Sequence, residues 1–311
     1  MKRLAFLALI LAIVTSLAVS ACSTQTAPAS KPAADTQAKP AADTQAKPAA
    51  DTQSKPAASS SSATKDDTVD KIKKRGELIV AMTGTNWGFN MVNRNNETIG
   101  YDVDIAKKVA EKLGVKLSIQ LQKWPGLIPS LQAGKVDMIS AGMTITPQRE
   151  EIVDFSDTYV KEGKLLLVNK AKHPNASSVE EFNKPGIQIG VTAGSTDETA
   201  AMAFLPKASI LRFDSGVSTG LELQAGRIDA MPANIAWARI YSKLNAEKVR
   251  LIDKPFQPED YGIAVAKGAN SLRAVVNQVL KELKASGEYQ KIYDKWFVTL
   301  DWLNEVELLK K

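Results

Sequence analysis

The chain of 311 residues has one cysteine, Cys22, and one histidine, His173. A single thiol excludes a disulfide framework and a cysteine metal site. A single imidazole excludes a multi-histidine metal centre. A Cys–His catalytic pair would have to recruit Cys22, which lies outside any segment able to fold, so neither metal nor cofactor is expected. Net charge is also small. The formal value of +6 includes Lys2 and Arg3 of a segment expected to be removed, and without those two it falls to +4. Such a balance points neither to nucleic acid nor to a polybasic membrane grip. The apolar run Leu4–Val14 is too short for a typical spanning helix.

That run has a different use. Lys2 and Arg3 precede it and Val19-Ser20-Ala21-Cys22 follows it, the layout of a secretory signal ending in a box that resembles a bacterial lipoprotein cleavage site. Residues 1–21 are therefore expected to be removed and Cys22 to carry lipid. Several acyl chains on one residue anchor stably where a single chain is marginal. Ordinary cleavage near Ala21 beside an incidental cysteine is the alternative. Residues 22–69 then form a tether. The octad KPAADTQA starts at 31 and 39, its variant KPAADTQS at 47, and KPAA at 55, before the serines Ser59–Ser62. This stretch has no aromatic residue and little apolar surface to bury, so no core forms. A proline every eighth residue favours extended backbone.

The folded body starts near Val69. Glu77–Thr83 reads as a buried strand. Residues 84–99 lack periodicity and read as a loop carrying Trp87 and Phe89. Ile105, Val109 and Leu113 fall four apart and mark a helix from Asp102, stopped by Gly114. Lys116–Gln122 alternates as a strand, and Trp124 opens a short helix. Strand and helix in turn describe a parallel sheet wrapped in helices. The pattern restarts with strands at 186–191, 209–213 and 228–231. Helices are expected at 197–204, 217–225 and 234–244. Tyr261–Val265 is one more apolar strand, followed by a long helix from Leu272 and a last aromatic helix at 289–297.

The stretch 134–160 carries the chemistry. Strand Val136–Ala141 runs into Gly142-Met143-Thr144 and leaves bare backbone groups at its C-terminal edge, where ligands sit in open α/β sheets. Thr146 and Pro147 suit the N-cap and first turn of a helix. Arg149, one turn in, offers a rigid fork for a carboxylate. A surface pair with Glu150 or Glu151 is the bland alternative.

Six motifs in order give a resemblance over about residues 70–300. They are Gly100-Tyr101-Asp102-Val103-Asp104; Trp124 with Gly126-Leu127-Ile128-Pro129; the 134–160 run; Gly194-Ser195-Thr196; Gly226-Arg227-Ile228-Asp229-Ala230; and Tyr261-Gly262-Ile263-Ala264-Val265. The chain resembles the extracytoplasmic solute-binding proteins of ABC importers, in the amino-acid-binding family (periplasmic binding protein type II, family 3), in lipoprotein form. The resemblance implies an α/β, two-lobe fold, each lobe a sheet flanked by helices, joined by a two-strand hinge. Lobe one would be 70–160 plus 262–303, lobe two 161–261, with 304–311 as a C-terminal extension. A small carboxylate, typically an amino acid, would bind between the lobes of a monomer and pass to an ABC permease. The only membrane contact would be the lipid anchor.

The resemblance also implies a site. Arg149 would clamp the ligand carboxylate, Thr144 would add its hydroxyl and N–H, and Ala141 and Gly142 would present backbone groups. Ser195 and Thr196, at a helix start, would grip the same carboxylate through free N–H groups. Trp124 would pack on the ligand side chain, with Asn86 or Trp87 as the opposite wall. One departure stands out: the family's usual aspartate for the ligand ammonium is replaced by Asn234. The ligand then lacks an ammonium, or Asp197 supplies the charge, or Asn234 and backbone carbonyls suffice. Two other functions fit the same scaffold. One is a cyclohexadienyl-dehydratase-like enzyme, for which Asp197 and Glu198 are the placeable acids. The other is a ligand sensor for a separate receptor.

Overall fold

A computed structural model describes residues 66–306. The signal segment, Cys22 and nearly all of the tether lie outside the described residues, as does the end of the C-terminal extension. Among the described residues no helix is long and apolar enough to cross a membrane.

Two five-stranded sheets carry the fold. The first runs in the order Lys116–Leu121, Glu77–Met82, Met138–Ile139, Ala264–Ala266, Val153–Phe155. The second runs Ser209–Phe213, Gln188–Thr192, Ala230–Asn234, Val160–Asn169, Val249–Tyr261. Both sheets are mixed rather than wholly parallel. Glu77–Met82 is parallel to both of its neighbours, but Ala264–Ala266 enters antiparallel. The reason is the route of the chain: it leaves the first sheet after Phe155, builds the second, and comes back from the far side. Val160–Asn169 and Val249–Tyr261 are the crossing strands. They pair antiparallel, with a break in register between Ile252 and Gln257.

Sequence patterning places most elements within a few residues. The helix expected from Asp102 spans Tyr101–Leu113 and turns Val103, Ile105, Ala106, Val109, Ala110 and Leu113 inward. Full burial of each large aliphatic side chain contributes about 1.5–3 kcal/mol. Gly114, at φ 71°, ends it in the left-handed region. Three expectations are corrected. Residues 84–99 are not a plain loop: Thr85–Asn86, Asn90–Val92 and Thr98–Ile99 form a small antiparallel sheet. Strands of two or three residues are too short to show a period. The apolar run Val136–Ala141 contributes only Met138–Ile139 to the ladder. The run at 261–265 divides, Tyr261 closing one strand and Ala264 opening the next. A helix at Thr68–Arg75 precedes the first strand and buries Ile72 alone.

Gly100 shows how tightly the small antiparallel sheet and the helix Tyr101–Leu113 are joined. Its φ is 140°, and a Cβ there would lie 2.2 Å from the Phe89 carbonyl oxygen. That oxygen accepts from the Asp102 N–H at 2.8 Å. Gly100→Ala should therefore cost about 2–3 kcal/mol, since both the dihedral and the space forbid a side chain. Denaturant unfolding of the purified protein checks this, and an unchanged midpoint would contradict the packing described.

Candidate functional site

A cavity of about 410 Å³ opens between the two sheets. Its floor is the loop that follows Met138–Ile139, and a buried carboxylate sets that loop's shape. Asp102 is fully buried and accepts hydrogen bonds from Tyr159 Oη (2.5 Å), Asn90 Nδ2 (2.7 Å) and Ser140 Oγ (3.2 Å). Burial pushes its carboxyl up to about 6, against those donors. Tyr159 Oη in turn accepts from the Gly142 N–H at 3.1 Å. Gly142 itself has φ 62°, and a Cβ there would meet Asn86 Nδ2 at 2.9 Å. The glycine is thus required by conformation and by space.

Beyond Gly142 the chain reaches Thr144 and then the short helix Pro147–Glu150. Thr146 caps that helix, its hydroxyl accepting from the Arg149 N–H at 3.3 Å. Arg149 is 8% exposed. Its Nη1 donates to the Thr144 carbonyl at 2.8 Å and its Nη2 to the Gly194 carbonyl at 3.4 Å. The guanidinium carbon lies 5.4 Å from the centre of the Trp124 ring. Burial draws the Arg149 pKa down, opposed by Glu259, Tyr261 and Asp197. A guanidinium remains protonated in any case, so a buried positive charge sits behind the cavity wall.

The facing wall comes from the second sheet. Ser195 caps the helix Thr196–Phe204, its Oγ accepting from the Asp197 N–H at 3.1 Å. Thr196 Oγ1 meets Thr144 Oγ1 at 3.1 Å. Trp124 Nε1 donates to the Gly194 carbonyl at 3.2 Å. Lys123 and Asp214 pair at the cavity edge.

The expected site residues divide as follows. Gly142, Thr144, Trp124, Ser195, Thr196, Asp197, Asn86 and Asn234 all line the cavity. Arg149 lies directly behind Thr144 and Trp124. Three of the expected residues have other partners as well. Ala141 is fully buried, and its carbonyl is taken by Asn86 Nδ2 at 3.3 Å. Trp87 is buried against Trp237 and Tyr241, with ring centres 5.8 and 5.6 Å away, so Asn86 faces the cavity instead. Asn234 is the N-cap of Ile235–Leu244, its Oδ1 accepting from the Trp237 N–H at 2.8 Å.

Sequence patterning missed the most strongly charged part of the site. Lys164, on a crossing strand, lines the cavity with its side chain only 4% exposed. Its Nζ is 2.6 Å from Asp197 Oδ1 and 3.0 Å from Glu259 Oε2. Glu259 also accepts from Tyr261 Oη at 3.1 Å. Burial pushes the Lys164 pKa down, but Asp197 and Glu259 more than offset it and hold the ammonium charged. The cavity-lining Trp237 was missed too. The available signal was a lysine and a glutamate, Glu162, two apart at the head of an apolar run, where a surface strand would not continue into Leu165–Val168.

The sequence model of the bacterial extracellular solute-binding proteins, family 3, matches residues 78–299. The chain belongs to this family. Among curated family members, the ABC transporter glutamine-binding protein of Bacillus subtilis (strain 168) is 36% identical over 242 residues, covering 76% of this chain and 87% of its own. The putative ABC transporter arginine-binding protein 2 of Escherichia coli (strain K12) is 32% identical, covering 67% and 86%. Among solved structures, that of an ancestral amino acid-binding protein, a precursor of cyclohexadienyl dehydratase, matches with a TM-score of 0.70 and 41% identity, over 74% of this chain and 99% of that one. The two-lobe type II fold of the family is the fold described above.

Removing the Lys164 charge tests the ion cluster. Lys164→Met leaves Asp197 and Glu259 buried without a cation and should cost about 3–5 kcal/mol at pH 7. Burial already holds the Asp197 carboxyl above its unfolded value, and losing the Lys164 cation raises it further. The deficit should therefore be smallest below about pH 4 and widen as the pH rises through the folded value of Asp197. Thermal unfolding across pH 4–8 checks it; a small, pH-independent loss would contradict the cluster.

Proposed function

We propose that this protein captures an amino acid, or a related small carboxylate, in the cavity between its sheets and delivers it to an ABC importer. The carrying observation is Arg149: a buried guanidinium beside paired threonine hydroxyls, with three of its five N–H donors not used by the Thr144 and Gly194 carbonyls. A ligand carboxylate would meet that charge, the Thr144 and Thr196 hydroxyls, and the free N–H groups at the start of Thr196–Phe204. Because these groups come from both sheets, binding would favour the closed arrangement of the lobes. The relatives named as glutamine- and arginine-binding proteins of ABC transporters support the ligand class.

The lobes are proposed as 70–160 plus 262–303 and 161–261, with the protein acting as a monomer. It would be held outside the cytoplasm by lipid on Cys22, with residues 22–69 as tether. It is proposed as a carrier and not an enzyme. Asp197, the acid best placed for dehydratase chemistry, is engaged by Lys164 at 2.6 Å.

Two experiments test this reading. Ligand-stripped protein should be stabilised by one or more of the common L-amino acids or their 2-oxo acids, by about 2.7 kcal/mol at a hundredfold excess over Kd. Arg149→Ala should lose that shift, and prephenate should be left unconverted. A retained shift would sink the Arg149 assignment. In cells, Cys22→Ser should move the full-length protein from the membrane to the soluble fraction, and retention in the membrane would refute the lipid anchor.

A further inference from the structure

The position that holds the family's usual counter-charge for a ligand ammonium is filled by Asn234, and the structure commits that residue elsewhere. Its Oδ1 accepts from the Trp237 N–H, and its Nδ2 lies 3.5 Å from Asn86 Oδ1. Neither group carries charge, and an amide does not neutralise a buried ammonium. The same cavity nevertheless contains an acidic pair that Lys164 alone does not neutralise, the further cation near it being Arg149. Asp197 and Glu259 share one cation, Lys164, so the trio carries one negative charge in surplus.

The three groups differ in how they meet the cavity. Glu259 is 1% exposed through its side chain and Lys164 4%, whereas Asp197 keeps 17% and lines the cavity. Lys164 approaches Asp197 through Oδ1, and the Ser195 side chain also bonds this carboxylate, which still lines the cavity. The location is also suited to an α-amino acid. Its ammonium and carboxylate sit on adjacent carbons, so their subsites must adjoin. Asp197 follows Thr196, whose hydroxyl meets that of Thr144, and the Asp197 charge is felt at Arg149.

We infer that Asp197, backed by Lys164 and Glu259, is the ammonium-binding group of this site, and that Asn234 serves as a helix cap. This rests on the reading of Arg149 as the carboxylate clamp. Charge then balances in the complex: Arg149 against the ligand carboxylate, and the trio's surplus against the ligand ammonium. A carboxylate without the amine would leave the trio's charge unmet. Glu259 and Lys164 act as positioning residues, since Lys164 holds one Asp197 oxygen and Glu259 holds Lys164.

The test compares three full-length proteins by thermal shift and titration calorimetry at pH 7. The probes are the twenty common L-amino acids and, for those that bind, the 2-hydroxy acid with the same side chain. Wild type should bind the amino acid at least tenfold more tightly than its 2-hydroxy counterpart. Asp197→Asn should lose at least tenfold for the amino acid and little for the hydroxy acid. It should still fold, because Lys164 keeps Glu259. Asn234→Ser retains a capping oxygen and removes the amide, and it should keep the wild type's preference for the amino acid over its 2-hydroxy counterpart. Equal affinity of Asp197→Asn and wild type, or loss of that preference in Asn234→Ser, would overturn the assignment while leaving Arg149 as the clamp. If the wild type binds no amino acid, or binds the hydroxy acids equally well, the assignment fails together with the amino-acid reading. Should Asp197→Asn not fold, the wild-type preference and the Asn234→Ser result still decide.

Discussion

An ammonium group taken out of water must be met by negative charge, and Lys164 is met twice. Its partners come from different parts of the chain: Glu259 from the other crossing strand, Asp197 from the first turn of the cavity helix. The trio therefore fixes three elements relative to one another, where apolar packing alone would allow each to slide. The crossing strands carry it at the point where their pairing resumes after the break between Ile252 and Gln257. Tyr261, which ends that strand, donates to Glu259 and also bridges to Thr144, so the cluster reaches the loop that forms the cavity floor.

A second set of polar groups joins the two sheets across the cavity. The Gly194 carbonyl accepts from both Arg149 and Trp124, and the Thr144 and Thr196 hydroxyls meet. The neutral bonds among these contribute about 0.5–1.5 kcal/mol each when water is the alternative partner, and the one from the charged guanidinium about 1.5–3 kcal/mol. Such bonds hold a closed arrangement without locking it, which suits a site that has to open again. The apolar share of the work falls to Trp237, Trp87 and Tyr241. Their rings stack in succession behind Asn234 and keep the helix it caps against the cavity.

The parts of this architecture that were legible in the sequence are those set by near neighbours. Thr146 before Pro147, Ser195 before Thr196 and Asn234 before Ile235 all cap helices, because a capping oxygen reaches only two or three residues along the chain. The inward face of Tyr101–Leu113 follows from a spacing of four. Arg149 was legible as a candidate because its place after Thr146-Pro147 presents it from a first helical turn. Val160–Asn169 was not legible as an element in its own right: charged at its head as far as Lys164 and continuously apolar from Leu165 to Val168, it fits neither an alternating strand nor an amphipathic helix.

By itself the sequence determined the family, most of the helices and strands, and the position of Arg149, since six local motifs in sequence and short-range caps specify them. Tertiary structure alone decided which of Asn86 and Trp87 faces the cavity, because a single turn of backbone sends adjacent side chains to opposite sides. It alone brought Lys164 between Asp197 and Glu259. Ion pairing acts through space between residues far apart in the chain, and no periodicity or local motif records it.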